Sequence, residues 1–269
     1  MKNTNKIAHD ASIATGSHAR FRSTTVRAGL ALVLVISAGC ANMNPRDPIE
    51  PYNRVMYSVN DAIDRNVLKP VSEGYKFVVP RTLRIGVRNF FSNLEDVWIG
   101  TNNLFQLKIG DALSDWMRVV LNSTFGIAGL YDMASDAGLE KHNEDFGQTL
   151  GWWGVPSGPY LVLPLFGPST FRDAPALFVD SSAGAYGVAA NAISRDNANL
   201  VRFGLITLNT INRRADALEA TTLIDQAALD RYTFTRDAFL QRRQNLVYDG
   251  DPPREKDNGD AESANDAPK

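Results

Sequence analysis

Between residues 52 and 218 apolar side chains recur mostly at spacings of three and four, yet nowhere after residue 39 do 18 uncharged apolar residues stand together. The first property predicts amphipathic helices. The second excludes a helix that crosses a bilayer end to end, which needs about 20 such residues. Pro51 opens a first helix carrying Tyr52, Val55, Met56, Val59 and Ile63. Pro70 is expected to begin a second short helix that Pro80 closes, so that 60–79 forms a helix–turn–helix edge. From Arg81 on, Leu83, Val87, Phe90, Phe91, Leu94, Val97 and Trp98 mark one apolar side, and Leu113, Trp116, Met117, Val120 and Leu121 mark the next. The segment 200–218 is apolar over more than half of a helical circumference, whereas 227–246, with Arg231, Arg236, Asp237, Arg242 and Arg243, is more polar. The centre, 122–170, is rich in Gly and Pro. A short helix is expected at 146–153 and an extended stretch at 160–166, where Pro164 bars a central sheet strand.

The beginning of the chain reads as processing sequence. Lys2, Lys6, Arg20, Arg22 and Arg27 precede an 11-residue apolar core at 28–38, and then Gly39 and Cys40. Charged, apolar, small-residue order is that of an export signal, and the core has half the length of a spanning helix. Cys40 is the only cysteine, so no internal disulfide can use it. S-A-G-C (37–40) resembles the lipobox of bacterial lipoproteins, with Ser37 standing where Leu is usual. The resemblance implies a cleaved signal peptide (1–39) and a covalent diacylglyceryl and N-acyl (palmitate-type) lipid on Cys40. Two or more chains anchor stably, at roughly 0.8 kcal/mol per buried methylene. Residue 41 is Ala rather than Asp, which by resemblance to the enterobacterial sorting rule implies the outer membrane rather than retention at the inner one.

Without residues 1–39 the chain keeps 23 Lys/Arg and 29 Asp/Glu, a net charge of −6, with no basic stripe to suggest nucleic acid. Seven acids against three bases lie in 249–269, a tail without apolar periodicity that is expected to be disordered. The expected organisation is therefore a linker at 40–46, one domain at 47–248, and that tail. The inventory argues against an enzyme and against a metal or cofactor. Of three histidines, His9 and His18 leave with the signal, and His142 lies in the charged stretch E-K-H-N-E-D, read as a solvated loop. Neither a nucleophile elbow nor a phosphate-binding glycine loop is present. The adjacent acids Glu95–Asp96 and Glu144–Asp145 point about 100° apart on a helix and read as helix-start charges rather than acid/base pairs.

Arg172-Asp173 after G-P-S-T admits two readings. In one, Ser169 or Thr170 caps a helix whose first turn holds Asp173, with Arg172 paired locally. In the other, Arg172 meets a lipid phosphate. Trp152, Trp153 and Tyr160 likewise read as interfacial belt residues or as ordinary core.

Five blocks then occur in one order: D-P-I-E-P-Y-N-R (47–54), R-N-F-F-S-N-L (88–94), N-S-T-F-G-I-A-G-L-Y-D (122–132), D-F-G-Q-T-L-G-W-W-G-V (145–155) and G-P-Y-L-V-L-P-L-F-G-P-S-T-F-R-D (158–173). Together they closely resemble the MlaA family, also called VacJ lipoproteins, strongly over 47–180 and more loosely beyond. The resemblance implies an all-α fold: a ring-like bundle of amphipathic helices lying in one membrane leaflet, with little or no sheet. It implies removal of mislocalised phospholipids from the outer leaflet of the outer membrane, which maintains lipid asymmetry. The implied partners are a periplasmic lipid carrier (MlaC-like), a trimeric porin beside the ring and, indirectly, an inner-membrane ABC transporter complex. Asn122, Gln148, Arg172 and Asp173 are the candidates for the polar lining of the lipid path. Rival readings are a porin-associated scaffold lipoprotein that moves no lipid and an envelope hydrolase. Cys40→Ala is expected to shift the protein from the membrane to the soluble fraction. Unchanged fractionation contradicts the anchor.

Overall fold

A computed structural model describes residues 44–182 and 184–253. The signal peptide, Cys40 and the tail beyond residue 253 lie outside the described residues. From residue 50 on, the chain forms ten α-helices, one π-helical segment and one two-stranded sheet among the described residues. The all-α expectation holds. α1 (Glu50–Ile63) starts with Glu50 and Pro51 in its first turn, where an anion suits the helix dipole and the missing proline N–H costs nothing.

No turn follows α1. The chain runs through a π segment (Asp64–Leu68) directly into α2 (Lys69–Val78), which corrects the helix–turn–helix expectation for 60–79. Pro70 lacks the N–H that a continuing α-helix needs, and its ring crowds the carbonyl four residues back. The wider π turn absorbs this: Lys69 N–H reaches back to the Asp64 carbonyl, five residues away. Arg214 fixes the π segment from outside, holding both Asp64 oxygens at 2.7 and 2.8 Å. α2 ends at Val79, extended as the residue before Pro80 requires.

α3 (Arg81–Phe105) and α4 (Ile109–Thr124) pack as a helical hairpin, and their polarity is inverted. On α4 the inward face carries Ala112, Asp115, Arg118 and Asn122, while Leu113, Met117, Val120 and, beyond its end, Phe125 face outward. The same holds for the whole body. Among the described residues 21 polar or charged side chains are buried against 12 hydrophobic ones, so the apolar excess lies outside. Phe77 is 91% exposed, Leu107 81% and Phe203 69%. Among the described residues no helix is long and apolar enough to cross a membrane.

Polar pairs hold the interior. Arg118, 1% exposed, donates to Asp96 (3.2 Å), to both Asp132 oxygens (3.0 and 3.1 Å) and to the Leu139 carbonyl (2.6 Å). Lys141 also contacts Asp96. Asn103 donates to Asp115 at 2.7 Å, and His142 Nδ1 lies 2.8 Å from the other Asp115 oxygen, so His142 is tied to α4 rather than solvated. The short α5 (Met133–Asp136) and α6 (Phe146–Trp152) follow, then the hairpin β1 (Tyr160–Leu163) and β2 (Gly167–Thr170), antiparallel with Tyr160 opposite Thr170. Pro164 stands in its turn. Two amides one face of α1 apart satisfy the hairpin edge: Asn53 bonds Tyr160 O and Val162 N, and Asn60 bonds Leu163 O and Leu165 N, at 2.7–3.0 Å.

α7 (Asp173–Ser182), α8 (Ala185–Ile193), α9 (Ala198–Ala227) and α10 (Arg231–Val247) complete the body. Packing runs in a closed circuit, from α1 through the π segment and α2 to α9, α8, α7, β2, β1 and back to α1. α10 packs on α6 and β2. The apolar core is small: Tyr160, Val162 and Tyr232, with Met56, Tyr57, Phe239 and Leu240 against them.

Arg118→Leu keeps bulk but strands Asp132 and half of Asp96, at a cost of about 3 kcal/mol. Melting in detergent should then fall by roughly 6–12 °C. A shift under 2 °C contradicts the polar network as the source of cohesion.

Candidate functional site: an amphipathic cavity among α3, α6, α7, α8, α9 and α10

A cavity of about 490 Å³ opens where α3, the residues just before α6, α7, α8, α9 and α10 meet. Its lining mixes charge with apolar surface: Glu95, Glu144, Asp145, Asp180, Arg213, Arg242 and Arg243 stand among Trp98, Ile99, Leu177, Phe239 and Leu246. Helix caps position two of the acids, Asp145 in the lining and Asp173 behind it. Asp145 caps α6, accepting the Gln148 N–H at 2.8 Å. α7 starts where Thr170 Oγ1 accepts the Asp173 N–H at 3.1 Å, as the capping reading expects.

Arg243 joins the two helix starts. Its fork takes both Asp145 oxygens, at 2.5 and 2.7 Å, and its Nε donates to Asp173 at 2.8 Å. Arg172 Nε takes the other Asp173 oxygen at 2.8 Å. This cluster requires Gly147 and Gly151 on α6. A methyl at 147 collides with the Arg243 guanidinium and stands 2.6 Å from Asp173 Oδ1, and one at 151 stands 2.5 Å from Arg172 Nη1. Burial opposes the charge of Asp145, but Arg243 outweighs it and holds the carboxyl below the usual carboxylate range.

At the α9 side Glu95 accepts from Tyr186 OH and from Arg213, each at 2.6 Å. Burial with the nearby Glu95 charge pushes the Tyr186 phenol far up, so it stays a donor. Glu144 accepts from Gln106 at 2.7 Å and pairs with Lys108 at 3.3 Å, while burial lifts its carboxyl above the ordinary range. Asp180 Oδ1 accepts Trp98 Nε1 at 2.7 Å and Phe146 N–H at 3.0 Å. Burial raises this carboxyl too, and the two neutral donors offset only part of that.

Of the residues singled out by sequence, Gln148 lines the cavity. Asp173 sits behind it, bonded to the lining Arg243. Arg172 is buried against Asp173 and the Val155 carbonyl, the local-pair geometry. Asn122 is elsewhere: it binds Asp132 and the Ala134 N–H and shapes the turn into α5. Tyr160 is core, whereas Trp152 and Trp153 are half exposed and Lys108 lies over the Trp152 ring. Glu95 and Asp96 stand mid-helix in α3, not at its start. Being about 100° apart, they serve different sites, Glu95 the cavity and Asp96 the Arg118 network. Sequence reading missed Glu95, Asp180, Tyr186, Arg213 and the separate roles of Arg242 and Arg243. The doubled arginine on an otherwise polar last helix was the one available signal. Among the described residues no group of His, Cys, Asp and Glu is arranged to hold a metal.

Arg243→Gln leaves Asp145 without its cation and Asp173 with Arg172 alone. We expect a loss of roughly 2–4 kcal/mol at pH 7, below that of a sealed pair because Asp145 is still 36% exposed. Because the folded carboxyl lies below its unfolded value near 4, its stabilisation is full above that value and is lost as pH falls through the folded one. Melting curves from pH 7 to 3 should show the gap between wild type and variant narrowing below about pH 4. A gap constant with pH contradicts the assignment.

The family model described as MlaA lipoprotein matches residues 45–246. The intermembrane phospholipid transport system lipoprotein MlaA of Escherichia coli is 31% identical over 242 residues, which cover 86% of this chain and 93% of that protein. The protein of the same name from Haemophilus influenzae is 32% identical over 229 residues, 81% of this chain and 89% of its own. A solved structure reported under the heading "Structural basis for maintenance of bacterial outer membrane lipid asymmetry" superposes with a TM-score of 0.64 at 30% identity, covering 75% of this chain and 98% of that one. The match over 45–246, the identity to both relatives across most of each chain and the shared fold agree, and this chain belongs to the MlaA lipoprotein family.

Proposed function

We propose that the protein is an outer-membrane lipoprotein that moves phospholipid, taking molecules misplaced in the outer leaflet and passing them toward a periplasmic carrier. The observation that carries this reading is the cavity: lined by both charged and apolar side chains, and set in a body that exposes many large apolar side chains. A phospholipid combines the same two characters. About 490 Å³ suits a headgroup with its glycerol and is within the usual range of ligand sites, so two acyl tails must extend along neighbouring apolar surface. The circuit of amphipathic helices lies as a ring in the inner leaflet, its outward stripes against lipid tails, with Cys40 adding acyl anchors. The work is shielding, with no bond made or broken, so the energy comes from a partner, an inner-membrane ABC transporter acting through the carrier. A trimeric porin covers part of the outward apolar surface. The names of the Escherichia coli and Haemophilus influenzae relatives support phospholipid transport between membranes.

Leu177, half-buried in the cavity wall, provides the test. Deleting the gene should raise phospholipid exposed in the outer leaflet and sensitivity to chelator, and wild type should restore both. Leu177→Trp, made and folded at wild-type level, should restore neither. Full rescue by the plugged variant favours the scaffold reading, and lysophospholipid formed by the purified protein favours a hydrolase.

A further inference from the structure

Most charges lining the cavity already have partners. Glu95 is held by Arg213 and Tyr186, Asp145 by Arg243, and Glu144 by Lys108 and Gln106. Two charges are left. Asp180 meets only neutral donors, both on Oδ1, and among the described residues nothing bonds its Oδ2. The nearest cation of the wall, Arg243, is committed on both faces of its fork to Asp145 and Asp173. Arg242, the next residue on α10, points about 100° away from Arg243 around the helix, is exposed at the cavity, and forms no ion pair among the described residues. One lone carboxylate and one lone guanidinium therefore face the same space.

The cost of lacking a counter-charge falls on the partly buried Asp180, while the exposed Arg242 is solvated and open to an anion, so a ligand with both charges answers both. A purely anionic headgroup answers Arg242 and is repelled by Asp180. A zwitterionic one answers both. Resting on the transport reading above, we propose that the cavity selects phospholipids whose phosphate carries a primary ammonium group, the phosphate meeting Arg242 and the ammonium donating to Asp180 Oδ2. Guanidinium suits phosphate because its planar fork matches two oxygens, and an ammonium suits a carboxylate oxygen that has no other donor. Burial lifts the Asp180 carboxyl above the ordinary range, and a cation brought to Oδ2 favours its ionised form.

The test uses the full acylated protein extracted in mild detergent and equilibrated with mixed micelles holding equal phosphatidylethanolamine and phosphatidylglycerol. After repurification, bound lipid is counted by mass spectrometry. A charge-assisted contact predicts roughly five- to tenfold more phosphatidylethanolamine than phosphatidylglycerol on the wild type. Asp180→Asn should bring phosphatidylethanolamine down to the phosphatidylglycerol level, and Arg242→Gln should lower both several-fold. Asp180 also accepts two bonds within the fold, so the comparison is repeated from the lipid side with wild-type protein. N-acetylated phosphatidylethanolamine, which keeps the phosphate and loses the cation, should be retained no better than phosphatidylglycerol. A wild-type ratio near one overturns the proposal, as does equal retention of the N-acetylated lipid. Absence of any bound lipid removes the channel reading itself, whereas bound lipid at a ratio near one removes only the headgroup assignment.

Discussion

Arg118 is sealed between α3, α4 and the turn at 132–139, and its guanidinium is answered by Asp96, Asp132 and the Leu139 carbonyl. A charge so placed is unaffordable in an ordinary protein core without every partner in position. Here it is the pattern rather than the exception. Asn103 with Asp115, Asn53 and Asn60 with the hairpin, and Arg214 with Asp64 repeat it around the body. Where apolar stripes point outward, helices gain nothing from burying them against each other. Specific polar contacts and close packing must fix their positions instead, as they do between helices in lipid.

The cavity follows from the same inversion. Helices that meet through polar side chains meet with gaps and directions, not as a continuous oily layer. Around α6 the gap is set by two glycines, since Gly147 and Gly151 let the guanidinium groups of Arg243 and Arg172 lie against the helix backbone. The arginines tie the starts of α6 and α7 to α10, and the space left between those ends, α3 and α9 is lined by charged and apolar side chains together. A passage for an amphiphile thus needs no dedicated motif beyond this arrangement. The small Tyr160–Val162–Tyr232 cluster is enough apolar core to seat the hairpin.

Much of this was legible in the sequence, and the parts that were not have physical reasons. Periodicities of three and four placed most of the helices, whereas 160–166 read as one extended stretch and is in fact a strand, β1 at 160–163, followed by a turn at 164–166 that leads into β2. The direction of the stripes was not legible from residues alone. An amphipathic pattern is the same whether its apolar face meets a core or a membrane, and only the family resemblance suggested the outward choice. Pro70 announced a disturbance, but a proline cannot say whether the chain will turn or pass through a π segment. That depended on Arg214, 150 residues from Asp64. Arg242 and Arg243 read as one basic pair, although the helical step sends one to a sealed cluster and the other to the cavity mouth. Asn122 was singled out for its motif and serves a turn. Asp180 drew no notice because its meaning lies in what does not contact it.

The central claim is that the outward stripes lie in lipid while the charged residues lining the cavity do not. Single cysteines at Phe77, Met117 and Phe203 can carry spin labels in the membrane-bound protein, with the unsubstituted protein serving as the blank for Cys40. Their accessibility to oxygen and to a water-soluble nickel chelate should then be compared with that of a label at Arg242. The account predicts high oxygen and low nickel access at the three apolar positions and the reverse at 242. Ready nickel access at 117 and 203 would contradict it.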